Sequence, residues 1–273
     1  MTPLSLIFGT VVGLSLGLTG GGGAIFAVPL LVYGLHVPVK EAVVVSMISV
    51  GTTSFVGFLH RWRLRQVDFQ SGIIFAISGM IGAPIGSWLA TQIPEFALML
   101  MFASLMLIVA VRMWQQSEKR EPIVRILAEE KEPLAPIACQ RDSTGQLKLT
   151  SRCAVMLMGL GLFVGIQTGL FGVGGGFLIV PALVLFSGIS ILHAVGTSLM
   201  VISLVSFSGI ASQLYNGRTV PLEVTTLFIL GGILGLFFGQ HIGKNLSPAT
   251  LQKTFAVAIL LVAIFVLVRN LSS

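Results

Sequence analysis

Two short runs, from Thr19 to Ala24 (Thr-Gly-Gly-Gly-Gly-Ala) and from Phe171 to Gly176 (Phe-Gly-Val-Gly-Gly-Gly), carry the residues best suited to bind a small ligand. Each interrupts a long uncharged apolar stretch, Met1 to Val39 in one case and Cys153 to Leu192 in the other. Glycine readily adopts the backbone angles of a chain reversal and costs about 1 kcal/mol inside a helix. Such runs therefore break helices and leave N–H and C=O groups without helical partners. Broken backbone at membrane depth is tolerated only inside protein or against a wet cavity. The freed N–H groups, with the positive ends of the helices that follow, favour an anion. The expected substrate-binding residues are thus Thr19, Gly20, Gly21, Gly22 and Gly23 in the first run, and Phe171, Gly172, Gly174, Gly175 and Gly176 in the second. The competing reading is that these glycines only let helices approach closely, as small residues do in membranes.

Hydroxyls supply further donors. Ser46, Ser49, Thr52, Thr53 and Ser54 crowd one apolar segment, matched in part by Thr197, Ser198, Ser203 and Ser206 in another. Ser46 and Ser198 occupy equivalent positions and are the preferred candidates to orient an oxyanion. The alternative for each is a bond to the preceding helical turn or to a neighbouring helix.

Other chemistry finds little support. Glu41, Asp68, Glu95 and Glu223 lie at or near the ends of uncharged blocks, and the other six acids fall between Arg112 and Arg152. With no acid in the centre of a block, coupling through a buried carboxylate is not expected. His36, His60, His193 and His241 sit near block boundaries without metal-ligand spacing, and no base is paired with a nucleophile. No catalytic residue, metal or cofactor is expected. Cys139 and Cys153 form no bridge framework and are expected as free thiols.

The elements that must hold the glycine runs are membrane-spanning helices. Of 273 residues 55% are apolar and 10% charged, with a mean hydropathy of +0.98, far from the composition of a soluble domain. Uncharged blocks run from Met1 to Val39, Ala42 to His60, Phe69 to Pro94 and Phe96 to Val111. A second set runs from Cys153 to Leu192, Ala194 to Gly217, Val224 to Gly243 and Thr254 to Val268. The net charge of +6 resides mostly in one polar stretch and at block ends, where basic residues orient membrane insertion; nucleic acid is not an expected partner. The fold class is an all-α polytopic integral membrane protein with two halves of four long apolar segments, or 8 to 10 crossings. Residues 1–111 form the N-terminal repeat, 112–152 a polar cytoplasmic linker read as a solvated loop, and 153–273 the C-terminal repeat.

A shift of 152 residues lays Gly17, Leu18, Gly20, Gly22, Gly23, Val28, Pro29 and Leu31 onto Gly169, Leu170, Gly172, Gly174, Gly175, Val180, Pro181 and Leu183. The same shift pairs Ser46 with Ser198 and Ser54 with Ser206; with one further residue, Gly79, Gly82 and Gly86 meet Gly232, Gly235 and Gly239. These last six read as packing residues. The first block of each half, about 40 residues, would make a helix of about 60 Å, twice a hydrocarbon core. It must fold back at its glycines, giving two crossings or one crossing plus a half-helix. Basic residues favour opposite ends in the two halves: Arg61, Arg63 and Arg65 follow the second block, whereas Lys244 and Lys253 follow the seventh. Inverted halves with both termini outside would show this bias; parallel halves with both termini inside remain the alternative, favoured by Arg269.

With these residues in view, the sequence resembles the sulfite exporter TauE/SafE family, through the paired signatures from Gly17 to Pro29 and from Gly169 to Pro181. The resemblance covers nearly the whole chain. It implies a multi-pass protein of the bacterial cytoplasmic (inner) membrane that transports small sulfur-containing anions such as sulfite or organosulfonates. Export is the preferred direction, because an inside-negative potential drives an anion outward. Uptake of an organosulfonate or another anion is the alternative within transport, and a membrane-embedded sensor or assembly factor the alternative of another class. The expected partners are a small anionic substrate and the lipid bilayer, with room for a homo-oligomer.

Overall fold

The computed structural model describes residues 2–126, 151–215, 220–243 and 248–271, and among them every regular element is helical. In the first half, α1 (Thr2–Thr19) stops where the glycine run begins. A broken passage follows: a 3-10 turn (Gly22–Phe26), one α-helical turn α2 (Ala27–Pro29) and a wider π turn (Leu30–Gly34). Then come α3 (Val39–Arg63), α4 (Phe69–Gln92) and α5 (Glu95–Ile126). The second half repeats the order with α6 (Ser151–Phe171), α7 (Gly176–Ser187), α8 (Ile191–Tyr215), α9 (Leu222–Gly243) and α10 (Pro248–Leu271). Six helices among the described residues are long and apolar enough to cross a membrane: α3, α4, α5, α6, α8 and α9.

Two expectations change here. The helix that starts at Glu95 continues through Arg112 to Ile126, so the first part of the stretch read as a loop is helical. Its Gln, Glu, Lys and Arg residues are good helix formers that prolong a helix already nucleated in the apolar segment. Linker residues 127–150, with Cys139, lie outside the described residues. Cys153 is fully buried and disulfide-bonded, which replaces the free thiol expected there.

The chain divides into two compact units, and each draws on both halves of the sequence. One comprises Met1–Ile93 and Ile137–Gly243; the other comprises Pro94–Pro136 and Lys244–Ser273, in which α5 packs against α10.

In the larger unit, glycines set the helix contacts. A methyl group built on Gly13 would lie 1.9 Å from the Gly232 carbonyl oxygen, and Gly9 and Gly17 press equally on Phe228 and Leu236, so α1 and α9 run parallel with backbones touching. The equivalent contact joins α6 to α4: Gly161, Gly165 and Gly169 meet Phe75, Gly79 and Ala83. Lipid tails are as apolar as leucine, so such helices gain little from hydrophobic burial; close van der Waals packing holds them. The two contacts interchange under the sequence repeat.

The remaining contacts fix the directions of travel. Thr53 and Gly57 of α3 meet Gly232 and Leu236 of α9, a parallel pair; Gly72 and Gly79 of α4 meet Met200 and Val205 of α8, also parallel. Between α3 and α8 the order reverses: Met47 faces Gly209, Gly51 faces Ser206 and Gly57 faces Leu199. Hence α1, α3 and α9 run one way and α4, α6 and α8 the other. Since α1 and α3 point the same way, the chain from Gly20 to Pro38 must return between them, as the length of the first block requires.

Candidate anion site

Both glycine runs are buried, and each is gripped by a helix of the other half. Gly20 and Gly172 take nearly the same left-handed backbone conformation, φ +73° and +71°. A side chain on Gly20 would strike Val195 of α8, and one on Gly172 would strike Val43 of α3, its counterpart under the repeat. Hydrogen bonds close the same two contacts. Ser46 Oγ donates to the Gly172 carbonyl at 2.7 Å, and Ser198 Oγ donates to the Gly20 carbonyl, with the Val195 carbonyl also in reach. Both serines are wholly buried.

Beyond their first glycine the runs diverge. The first enters its 3-10 turn after Gly21, which has φ +146°. The second keeps positive φ at Gly174 and Gly175, so that α7 starts cleanly at Gly176. The loops touch where Gly21 meets Gly176: a methyl group on Gly176 would lie 2.4 Å from the Gly21 Cα. Ile202 of α8 fills the space beside them, its side chain within 3.0 Å of where a Cβ would stand on Gly21, Gly174 or Gly176.

Gly20 N–H bonds to the Leu16 carbonyl and Gly172 N–H to the Thr168 carbonyl, each finishing its helix. Among the described residues, no backbone carbonyl outside the regular helices accepts from the N–H groups of Gly21, Gly22 and Gly23, or from those of Val173, Gly174 and Gly175. Buried N–H groups of this kind are almost always paired with something, commonly water or a ligand. Six of them on two touching loops, with the N-terminus of the twelve-residue α7 alongside, make a positive environment without a charged side chain.

The expected site residues separate into three groups. The runs from Gly20 to Gly23 and from Gly172 to Gly176 are buried and touch through Gly21 and Gly176, and Phe171 is buried as well. Ser46 and Ser198 reach these loops, but each hydroxyl proton is directed at a loop carbonyl. Thr19 donates back to the Ser15 carbonyl at 2.8 Å, within its own helix. Reading single residues missed Val43, Val195, Val50 and Ile202, which are apolar and so carry no chemical signal. Applying the repeat to every position, not only to glycines and hydroxyls, would have paired Val43 with Val195 and Val50 with Ile202.

Comparison with known proteins places the chain among membrane transporters. The family profile described as Sulfite exporter TauE/SafE matches residues 5–266. A protein of Xylella fastidiosa (strain Temecula1) named probable membrane transporter protein is 31% identical, covering 100% of this chain and 99% of its own length. Probable membrane transporter protein YunE of Bacillus subtilis is 28% identical over 97% of this chain and 94% of its own. A similarly named protein of Methanocaldococcus jannaschii is 23% identical over 98% and 96%.

Proposed function

The chain belongs to the sulfite exporter TauE/SafE family, and we propose that this membrane transporter moves small sulfur-containing anions, sulfite or an organosulfonate, out of the cell across a bacterial cytoplasmic membrane. The observation that carries the reading is the pair of buried loops, six of whose N–H groups meet no backbone acceptor outside the regular helices among the described residues. Such a site suits an oxyanion with several acceptor oxygens, and neutral donors bind it weakly enough for release. The substrate class itself rests on the family. The membrane potential supplies the direction: at about 2.3 kcal/mol per charge per 100 mV, a monoanion is favoured outside by about fiftyfold.

The two halves are inverted repeats in this reading. Support comes from α3 and α8, equivalent in sequence and opposed in direction, as a pseudo-two-fold axis in the membrane plane requires. With the broken passage from Gly20 to Pro38 and its counterpart α7 counted as return crossings, there are ten crossings, and 13 of the 16 Lys and Arg residues fall on the side of the central linker. That side is the cytoplasm by the positive-inside rule. A reporter active only in the cytoplasm is expected to give signal when inserted at residue 140 and none when fused after Ser273; signal from the C-terminal fusion refutes the inverted topology.

Transport itself is tested in proteoliposomes loaded with sulfite. Efflux is expected to accelerate when the interior is made negative and to slow when the potential is reversed. Efflux indifferent to the sign of the potential overturns potential-driven export, and no efflux above protein-free liposomes overturns the choice of substrate.

A further inference from the structure

Among the described residues, two buried side-chain nitrogens have no acceptor: Arg61 Nε on α3 and Gln240 Nε2 on α9. The packing of these helices brings the two residues to one level. Thr53 meets Gly232, and one turn further along both helices Gly57 meets Leu236. The next turn of each carries Arg61 and Gln240. The helices are still in contact there, since the rings of His60 and Phe237 stand 5.9 Å apart.

Neither residue is an ordinary surface group. Gln240 is 8% exposed. Arg61 is half-buried, whereas Arg63 and Arg65 are exposed to solvent. The one hydrogen bond that Arg61 donates among the described residues runs from Nη1 to the neutral Gln66 Oε1, at 2.6 Å. The nearest acid in sequence, Asp68, is turned to the start of α4, where it accepts from the Gln70 N–H at 3.2 Å and the Ser71 hydroxyl at 3.0 Å. A guanidinium drawn partly out of water is stabilised by an anion, and its planar fork matches the oxygens of one.

Both residues adjoin the first glycine loop. A Cβ on Gly17, three residues before Gly20, would stand 2.9 Å from the Gln240 nitrogen. Gln66, the partner of Arg61, presents its carbonyl to Gly196, next to the Val195 that grips Gly20. In the inverted topology α3 and α9 both end on the cytoplasmic side.

The repeat provides an internal comparison. Its shift places Gln213 where Arg61 stands and Ser87 where Gln240 stands. Gln213 is 3% exposed and Ser87 wholly buried, and each has an oxygen without a partner. Unpartnered polar atoms therefore occur at both mouths. What differs is charge, which only the mouth beside Gly20 carries at this position.

We propose that Arg61 and Gln240 form an anion-capture site at the cytoplasmic mouth of the first glycine loop, where a sulfite or sulfonate group accepts from the guanidinium and the amide before it passes to the loops. The proposal rests on the transport reading and adds a charged binding residue to a site otherwise built of neutral donors. The opposite mouth, with Gln213 and Ser87, has no charge at these positions to retain the anion as it leaves.

The test measures sulfite efflux from proteoliposomes against internal concentration. R61Q gives the inner mouth the glutamine of the outer one. It is expected to raise the half-saturating concentration at least about tenfold, for the loss of a charged donor, while the maximal rate holds. R61K keeps the charge and should recover most of that loss, and R63Q, at an exposed arginine, should change neither quantity. An unchanged half-saturation in R61Q, or an equal change in R63Q, overturns the proposal. If R61Q fails to insert, the unsubstituted protein decides. Modification of Arg61 by phenylglyoxal, read by mass spectrometry as a ratio to Arg63, should slow severalfold when sulfite is present; the ratio cancels any reagent that sulfite consumes. No protection of Arg61 relative to Arg63 overturns the proposal. Protection is read without transport, so absence of sulfite efflux from unsubstituted protein would sink the transport reading alone.

Discussion

Gly176→Val is expected to abolish anion transport while Gly159→Ala leaves it intact. Gly176 is the point where one glycine loop meets the other, and the first atom of any side chain there would lie 2.4 Å from the Gly21 Cα and 2.5 Å from Ile202 Cδ1. The isoleucine tip can swing away, but the backbone of Gly21 cannot do so without moving the loop. Gly21 is held in turn at φ +146°, a conformation that side-chain-bearing residues rarely adopt. Overpacking of this kind costs on the order of 1–3 kcal/mol, and the strain falls on the N–H groups proposed to bind the anion. Gly176→Ala should retain enough protein for a binding assay and show affinity lost by a larger factor than thermal stability predicts. Gly159, also helical, has nothing within 4 Å of a built Cβ. Alanine there removes the helical penalty of glycine, about 1 kcal/mol, so its melting temperature should hold or rise. Normal efflux by Gly176→Val would remove the loop contact from the mechanism.

The loops were legible in the sequence because they violate the rules of their surroundings: three or four glycines inside an apolar segment too long to cross once. Their equivalence was legible because the shift of 152 residues carries Pro29 onto Pro181 along with the glycines. The exchange of partners between halves was not. Nothing in the order of segments says that α1 packs on α9 and α6 on α4, because Gly9, Gly13 and Gly17 could serve any close neighbour. The divergence after the first glycine was equally hidden. Val173 stands where the first run has Gly21, and Gly176 where it has Ala24. Those exchanges decide that one loop continues as a 3-10 turn and the other as a regular helix. The linker misled for a physical reason, since a charged composition describes a solvated helix as well as a solvated loop, and α5 runs on to Ile126.

Ser46→Ala and Ser198→Ala are expected to lower stability and slow transport by similar amounts, with little change in the affinity of any anion that still binds. A hydroxyl has one proton to give. In both serines it is directed at a loop carbonyl, so towards an anion each presents lone pairs, which repel it. Their role in this geometry is to hold the Gly172 and Gly20 carbonyls away from the site, leaving the N–H edges of the loops for the ligand. Removing one leaves a buried carbonyl without that partner, at about 1–3 kcal/mol each. The two anchored loops touch, so the double variant should depart from the sum of the single effects, as contacting sites commonly do. Thermal denaturation in detergent and equilibrium anion binding separate the two roles: an unchanged melting temperature with affinity reduced tenfold or more, about 1.4 kcal/mol, would make the serines direct ligands. A fall in melting temperature with affinity preserved makes them anchors, each half of the chain fastening the loop of the other.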